Sequence, residues 1–220
     1  MYVQVDSSSC GGTLVASKYV ISAAHCFIAD GTDLARMEDI EILLGDHNVE
    51  ESGETFLKEK KIGVVNLHHH PEYVEDENSP WDITVVELAE SADLNVYTPA
   101  CLAKTIDTNK FLGEKVTVAG WGALLTTPNI SLNKWPDVPH EVQVPVTKCK
   151  HYDNEPPPSV ILCTQEKGKD SCYGDSGGPL TYKQANRQHV LIGAVHSGFG
   201  DACGIVNFHF YFKKVFLLFF

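Results

Sequence analysis

Apolar residues in this chain come in short runs cut by turn formers. Leu14-Val15, Tyr19-Val20-Ile21, Ile40-Glu41-Ile42-Leu43-Leu44, Ile83-Thr84-Val85-Val86, Val116-Thr117-Val118 and Val190-Leu191-Ile192 are examples. Runs of this length, rich in Val, Ile and Thr and bounded by Gly, Pro, Asp and Asn, predict short antiparallel strands forming a β sandwich or barrel. No long stretch holds a helical period, so helix is a minor component. The polar segment 105–112 interrupts the strand pattern and reads as a connector between two halves, 1–104 and 113–204. A chain of 220 residues suits one large β domain or two small ones packed together.

After Gly204 the pattern changes. Six of the ten phenylalanines fall within the last sixteen residues. A membrane span needs about 20 apolar residues, and Lys213-Lys214 interrupt this shorter run, so no membrane anchor is read here. The expectation is an aberrant aromatic tail over 205–220, standing outside the fold as a reading-frame or splice error would leave it.

Charge narrows the partners. With 29 acidic against 17 basic side chains the formal charge is −12, which repels a phosphate backbone and argues against nucleic acid. The composition, 43% hydrophobic and 21% charged, is that of a globular protein. Seven cysteines show no Cys-x-x-Cys pair and no Cys/His cluster at zinc spacing, so disulfides and an oxidising, extracellular setting are the better reading. The sequon Asn129-Ile130-Ser131 is compatible with secretion. Met1 is followed at once by a strand-like Tyr2-Val3-Gln4-Val5. No secretory leader is read, which leaves open a start further upstream or a different compartment.

Three segments carry candidate chemistry. In Gly174-Asp175-Ser176-Gly177-Gly178-Pro179 the glycines permit tight turns, expose the Ser176 hydroxyl and let the amides of Gly174 and Ser176 converge on a developing charge. Ser22-Ala23-Ala24-His25-Cys26 follows an apolar run and sets an imidazole beside a cysteine. Trp81-Asp82-Ile83-Thr84-Val85-Val86 puts a carboxylate at the entrance of an apolar strand, where burial demands a donor such as an imidazole N–H. Singly, each has a plainer reading: a Gly-rich turn, a structural histidine, a turn acid.

Together, in the order His, Asp, Ser, the motifs resemble those of the chymotrypsin/trypsin family of serine endopeptidases. Cys10-Gly11-Gly12-Thr13-Leu14 and Val118-Ala119-Gly120-Trp121-Gly122 extend the likeness, which runs from about Val3 to Cys203. The resemblance implies an all-β fold of two packed antiparallel β-barrels, within a peptidase domain over 1–204. Ser176 is then the nucleophile, His25 the general base and acid, and Asp82 the group that orients the imidazole, while Gly174 and Ser176 supply the oxyanion hole. Asp170 matches the base of the specificity pocket, so cleavage after Lys or Arg is implied, and Gly198 matches a substrate-binding glycine. No cofactor is required and no metal is assigned. Protein or peptide substrates, protein protease inhibitors and a zymogen stage are implied as well. The alternative is a catalytically silent homologue acting as a binding or regulatory module.

The family pattern pairs Cys10 with Cys26, Cys149 with Cys163 and Cys172 with Cys203. A further family bridge would join the positions held here by Val116 and Tyr182, both without cysteine. Cys101 is left over and is expected to hold a propeptide or upstream domain. Asp46, Glu50, Glu51 and Glu54 resemble the calcium loop of some trypsins, with a solvated acidic turn as the alternative. His68-His69-His70 cannot all point one way on a strand, so an exposed polar strand end is expected.

The pattern departs from the family in three places. Asp175 matches the acid that pairs with a new ammonium on activation. No Ile-Val-Gly-Gly-like terminus precedes the first strand, so Asp175 is expected to rearrange and displace the Gly174 amide. Val195-His196-Ser197-Gly198-Phe199-Gly200 lacks the usual Ser-aromatic-Gly run, which puts main-chain pairing with substrate in doubt. Residues 205–220 resemble neither the last strand nor the final helix, so the second barrel is expected to be incomplete.

Overall fold

The computed structural model describes residues 1–5, 8–29, 33–51, 53, 57, 59–75, 79–103, 107–124, 134–149, 160–198, 203 and 210–214. The sequon, Glu54, and residues 105–106 of the expected connector lie outside them. The strands in chain order are β1 (Tyr2–Val5), β2 (Ser8–Gly11), β3 (Thr13–Ala16), β4 (Tyr19–Ser22), β5 (Ile28–Ala29), β6 (Asp33–Leu34), β7 (Ile40–Leu44), β8 (Lys60–His69) and β9 (Thr84–Leu88). They continue with β10 (Cys101–Leu102), β11 (Lys115–Gly120), β12 (His140–Thr147), β13 (Ile161–Thr164), β14 (Pro179–Lys183), β15 (His189–Gly198) and β16 (Phe210–Lys214). A short α-helix, α1 (Thr108–Phe111), is started by Asp107, whose carboxylate accepts the Asn109 N–H.

The first sheet runs β2-β1-β7-β8-β9-β4-β3. Its two edges are consecutive strands separated only by Gly12, so the sheet curls back on itself. Alternation along the strands fills the interior: Val3 and Val5 of β1, Ile40, Ile42 and Leu44 of β7, and Val86 and Leu88 of β9 share one core. In β8 a bulge between Val64 and Asn66 shifts the register and changes which side chains face inward. The histidine trio splits as geometry requires. His68 is exposed beside Glu87 at 3.2 Å, His69 is half-buried, and His70 stacks on Trp81 with ring centres 4.4 Å apart.

The second sheet runs β10-β15-β14-β11-β12-β13-β16, and β16 also pairs with β15. The expectation of an incomplete second barrel is corrected here. Residues 210–214, placed by sequence in an aberrant tail, form a strand that pairs with both β13 and β15 and so curls the sheet round on itself. The aromatic run supplies what the barrel needs: Phe212 is fully buried among Val118, Leu162, Leu180 and Ile192. Burying one such side chain contributes about 1.5–3 kcal/mol, which adds to the hydrogen bonding along both edges of the strand in offsetting the cost of ordering its backbone.

The three expected disulfides form, Cys10 to Cys26, Cys149 to Cys163 and Cys172 to Cys203. Val116 and Tyr182 face each other across β11 and β14, an apolar contact where the family's further bridge would lie. A separate apolar cluster of Ile21, Ile83, Leu191 and Ala194 draws on both barrels and seats one on the other.

Candidate active site

The candidate side chains are delivered by short segments near the seam between the barrels. His25 sits on a 3-10 turn, Ala24–Phe27, directly after β4. Ala23, Ala24 and Phe27 are completely buried, and Cys26 is bonded to β2, so apolar burial and a covalent tie fix the turn. The imidazole itself is 40% exposed. Asp82 precedes β9 and is 1% exposed, anchored by the equally buried Ile83.

The carboxylate of Asp82 is saturated with donors. Its Oδ1 accepts the His25 backbone N–H at 2.8 Å, and its Oδ2 accepts His25 Nδ1 at 2.7 Å. A second imidazole, His196, also directs Nδ1 at Oδ2. Burial alone would push the Asp82 carboxyl up. The charge that His25 can carry, together with the hydrogen bonds from His196 and His25, outweighs it and holds the group far below the usual carboxylate range. An ionised carboxylate only accepts, so His25 carries its proton on Nδ1. The lone pair of Nε2 is thereby available as a base.

In the sequence His196 stands out only as a departure from the family's run. The structure supplies its role. Pairing of β15 with β16 shifts register between Val195 and Ser197, and this bulge at His196 aims the ring inward, where it is 3% exposed. The broken motif signalled that something differed there; nothing local signalled contact with a residue 114 positions away.

Ser176 lies on the turn between Cys172 and β14. The Gly11 N–H donates to the Ser176 carbonyl at 2.7 Å, and the Ser22 hydroxyl donates to the Gly11 carbonyl at 2.8 Å. Gly177 has φ +76°, and a Cβ there would fall 2.1 Å from Ser22 Oγ, so only glycine fits between the barrels. Gly174, at φ +90°, packs close under the ring of Trp135. The Cys26 sulfur lies 3.7 Å from the Ser176 carbonyl oxygen and 4.0 Å from His25 Nε2. One atom therefore lies against both the Ser176 backbone and the His25 ring.

Asp175 is buried, and burial raises its pKa. Its Oδ1 accepts the Gly122 N–H at 2.9 Å and its Oδ2 the Cys172 N–H at 2.8 Å. Two backbone donors offset part of the cost of a buried carboxylate. Asp170 is half-buried and shares with Asp175, His140, Gly122 and Cys203 the wall of a recess of about 220 Å³. Gly198 ends β15 opposite Phe210 of β16. Cys101 is exposed, with Gln188 Nε2 at 2.8 Å from its sulfur. Of the acidic loop, Asp46 is half-buried and Glu50 and Glu51 are exposed. Among the described residues, no helix is long and apolar enough to cross a membrane.

Comparison with known sequences finds serine proteases. The sequence model of the family described as Trypsin matches residues 1–217. A venom protease of Bombus pensylvanicus is 32% identical over 213 residues, covering 94% of this chain and 81% of that protein. Trypsin-3 of Salmo salar is 32% identical over 198 residues, covering 88% of this chain and 73% of its own. Mannan-binding lectin serine protease 1 of Homo sapiens is 33% identical over 215 residues, 89% of this chain, but the match spans only 28% of that longer protein.

Proposed function

The chain belongs to the trypsin family of serine endopeptidases, and on that premise we propose that it hydrolyses protein chains after Lys or Arg by a Ser-His-Asp mechanism. The observation that supports this most is the convergence of His25 on Asp82 across 57 positions, with Cys26 touching both the His25 ring and the Ser176 carbonyl.

In this reading Ser176 Oγ attacks the scissile carbonyl while His25 Nε2 takes its proton, then returns it to the leaving amine. Water repeats the sequence on the acyl-enzyme. Asp82 holds the Nδ1–H tautomer and stabilises the imidazolium. The amides of Gly174 and Ser176 receive the oxyanion, each such donor being worth about 2.7–4 kcal/mol in the transition state. Asp170 pairs with the basic side chain of the substrate, and Gly198 offers its backbone to the substrate main chain.

Asp175 is the acid that would receive an activating ammonium, in keeping with a zymogen. Secretion, tethering of a propeptide or upstream domain through Cys101, control by protein inhibitors, and calcium at the loop of Asp46, Glu51 and Glu54 belong to the same proposal. Calcium would be seen as a rise in melting temperature.

The test is hydrolysis by the activated protein of Arg-linked and Phe-linked chromogenic peptides. Turnover confined to the Arg substrate and abolished by Ser176→Ala is expected. Turnover of the Phe substrate alone would remove the specificity, and no Ser176-dependent turnover of either would favour a silent binding module.

A further inference from the structure

We propose that His25, Asp82 and His196 form a binding site for a divalent transition-metal ion, best suited to zinc, and that the bound ion switches off His25 as a base. The binding half stands on the geometry alone; the inhibitory half rests on the protease reading.

One donor atom from each residue lies within 4.8 Å of the other two, and both imidazoles already direct Nδ1 at the same oxygen, Asp82 Oδ2. Two imidazoles and one carboxylate make a donor set that zinc takes in sites with an open fourth position. Three donors with a single carboxylate are too few and too nitrogen-rich for calcium or magnesium. The carboxylate is oriented from behind by the His25 backbone N–H on Oδ1, the kind of outer contact that steadies a ligating group. The His25 ring, 40% exposed, is the side by which an ion can enter.

Without an ion the three groups satisfy one another by hydrogen bonds. With donors about 2.0–2.1 Å from zinc in a tetrahedral arrangement, neighbouring ligand atoms stand about 3.3 Å apart. Both imidazoles must therefore draw back from Asp82 Oδ2: the partly exposed His25, whose Nδ1 is now 2.7 Å away, by about half an ångström, and the buried His196, whose Nδ1 stands closer still, by more. The consequence for the base follows from proton bookkeeping. A neutral imidazole carries one N–H; once Nδ1 gives its lone pair to the metal, the proton resides on Nε2. Nε2 then donates instead of accepting, so His25 cannot take the proton of Ser176. Metal binding and base catalysis exclude each other at this one ring.

The experiment has two arms. Zinc is titrated calorimetrically into the full chain carrying Ser176→Ala, and cobalt(II) into the same protein by visible absorption. One equivalent is expected to bind, with a four-coordinate cobalt spectrum. His196→Ser is expected to weaken binding more than about ten-fold. His25→Ala, a change at a partly exposed ring, provides the same loss should the buried substitution fail to fold. In the second arm, zinc is expected to inhibit turnover reversibly, EDTA to restore it, and His196→Ser to need more zinc for the same fractional inhibition. Binding that survives both His25→Ala and His196→Ser, as adventitious capture by exposed His68 would, overturns the site. Tight binding without inhibition overturns the switch. Absence of turnover before zinc is added counts against the protease reading, while calorimetry still decides the site.

Discussion

Asp82 shows how much a single buried carboxylate can organise. With 1% of its surface exposed it would be expelled or protonated but for the donors that surround it, and those donors are the groups whose orientation matters. Asp82→Asn replaces one acceptor oxygen by an NH2, forcing at least one imidazole into the other tautomer. Turnover of an Arg-linked peptide is expected to fall by about four orders of magnitude, with a far smaller change in KM; a loss below ten-fold would contradict the assigned role. Asp175 works with the opposite sign. Burial raises its pKa, so the folded chain holds that proton more tightly than the unfolded chain. The resulting stability is present below the unfolded carboxyl value, about 3.9, and is lost as pH rises through the folded value. Asp175→Asn should flatten the pH dependence of the urea midpoint over that window, whereas an unchanged slope would exclude this carboxyl as its source. An ammonium arriving beside Asp175 would reverse the sign by favouring the charged form.

Among the elements, β16 decides whether the second barrel closes. Its register places Phe212 opposite both Leu162 and Val195, so one side chain is held from two strands. Phe212→Ala removes a fully buried ring and is expected to cost about 3–5 kcal/mol, read as a lower urea midpoint. A cost below 1 kcal/mol would mean that the strand is not integral to the barrel. The bulge of β15 against the same strand is what turns His196 toward Asp82. Strand pairing at 210–214 and the environment of Asp82 are therefore linked, and the Phe212 variant should lose activity before it loses all structure.

For the whole molecule, the barrel seam is decisive. Ile21 and Ile83 of the first barrel pack on Leu191 and Ala194 of the second. Asp82 adjoins Ile83 in the chain, and His196 lies two positions after Ala194. Leu191→Ala should cost about 2–5 kcal/mol and lower kcat more than KM, because it loosens the positioning of groups that do not touch the substrate. A change confined to KM would argue against coupling through the seam. At this scale the reach of sequence reading is also visible. The strand pattern follows from runs and turn residues, and the disulfide scheme and the His25–Asp82 pairing from family likeness. The closing strand did not, because a Phe- and Lys-containing segment has no clean alternation and takes its conformation from two partners far away in the chain.

Residue types and their order determine, by themselves, that this chain builds short strands and carries the groups of a serine endopeptidase, because period, turn chemistry and motif are local properties. The second imidazole on Asp82, the anchoring of Asp175 by two amides and the closure of the barrel by β16 are decided only in three dimensions. Each depends on register, on a bulge or on the packing of one barrel against the other. Such contacts join residues as much as 114 positions apart, and no local pattern specifies which way a side chain points when two distant strands meet.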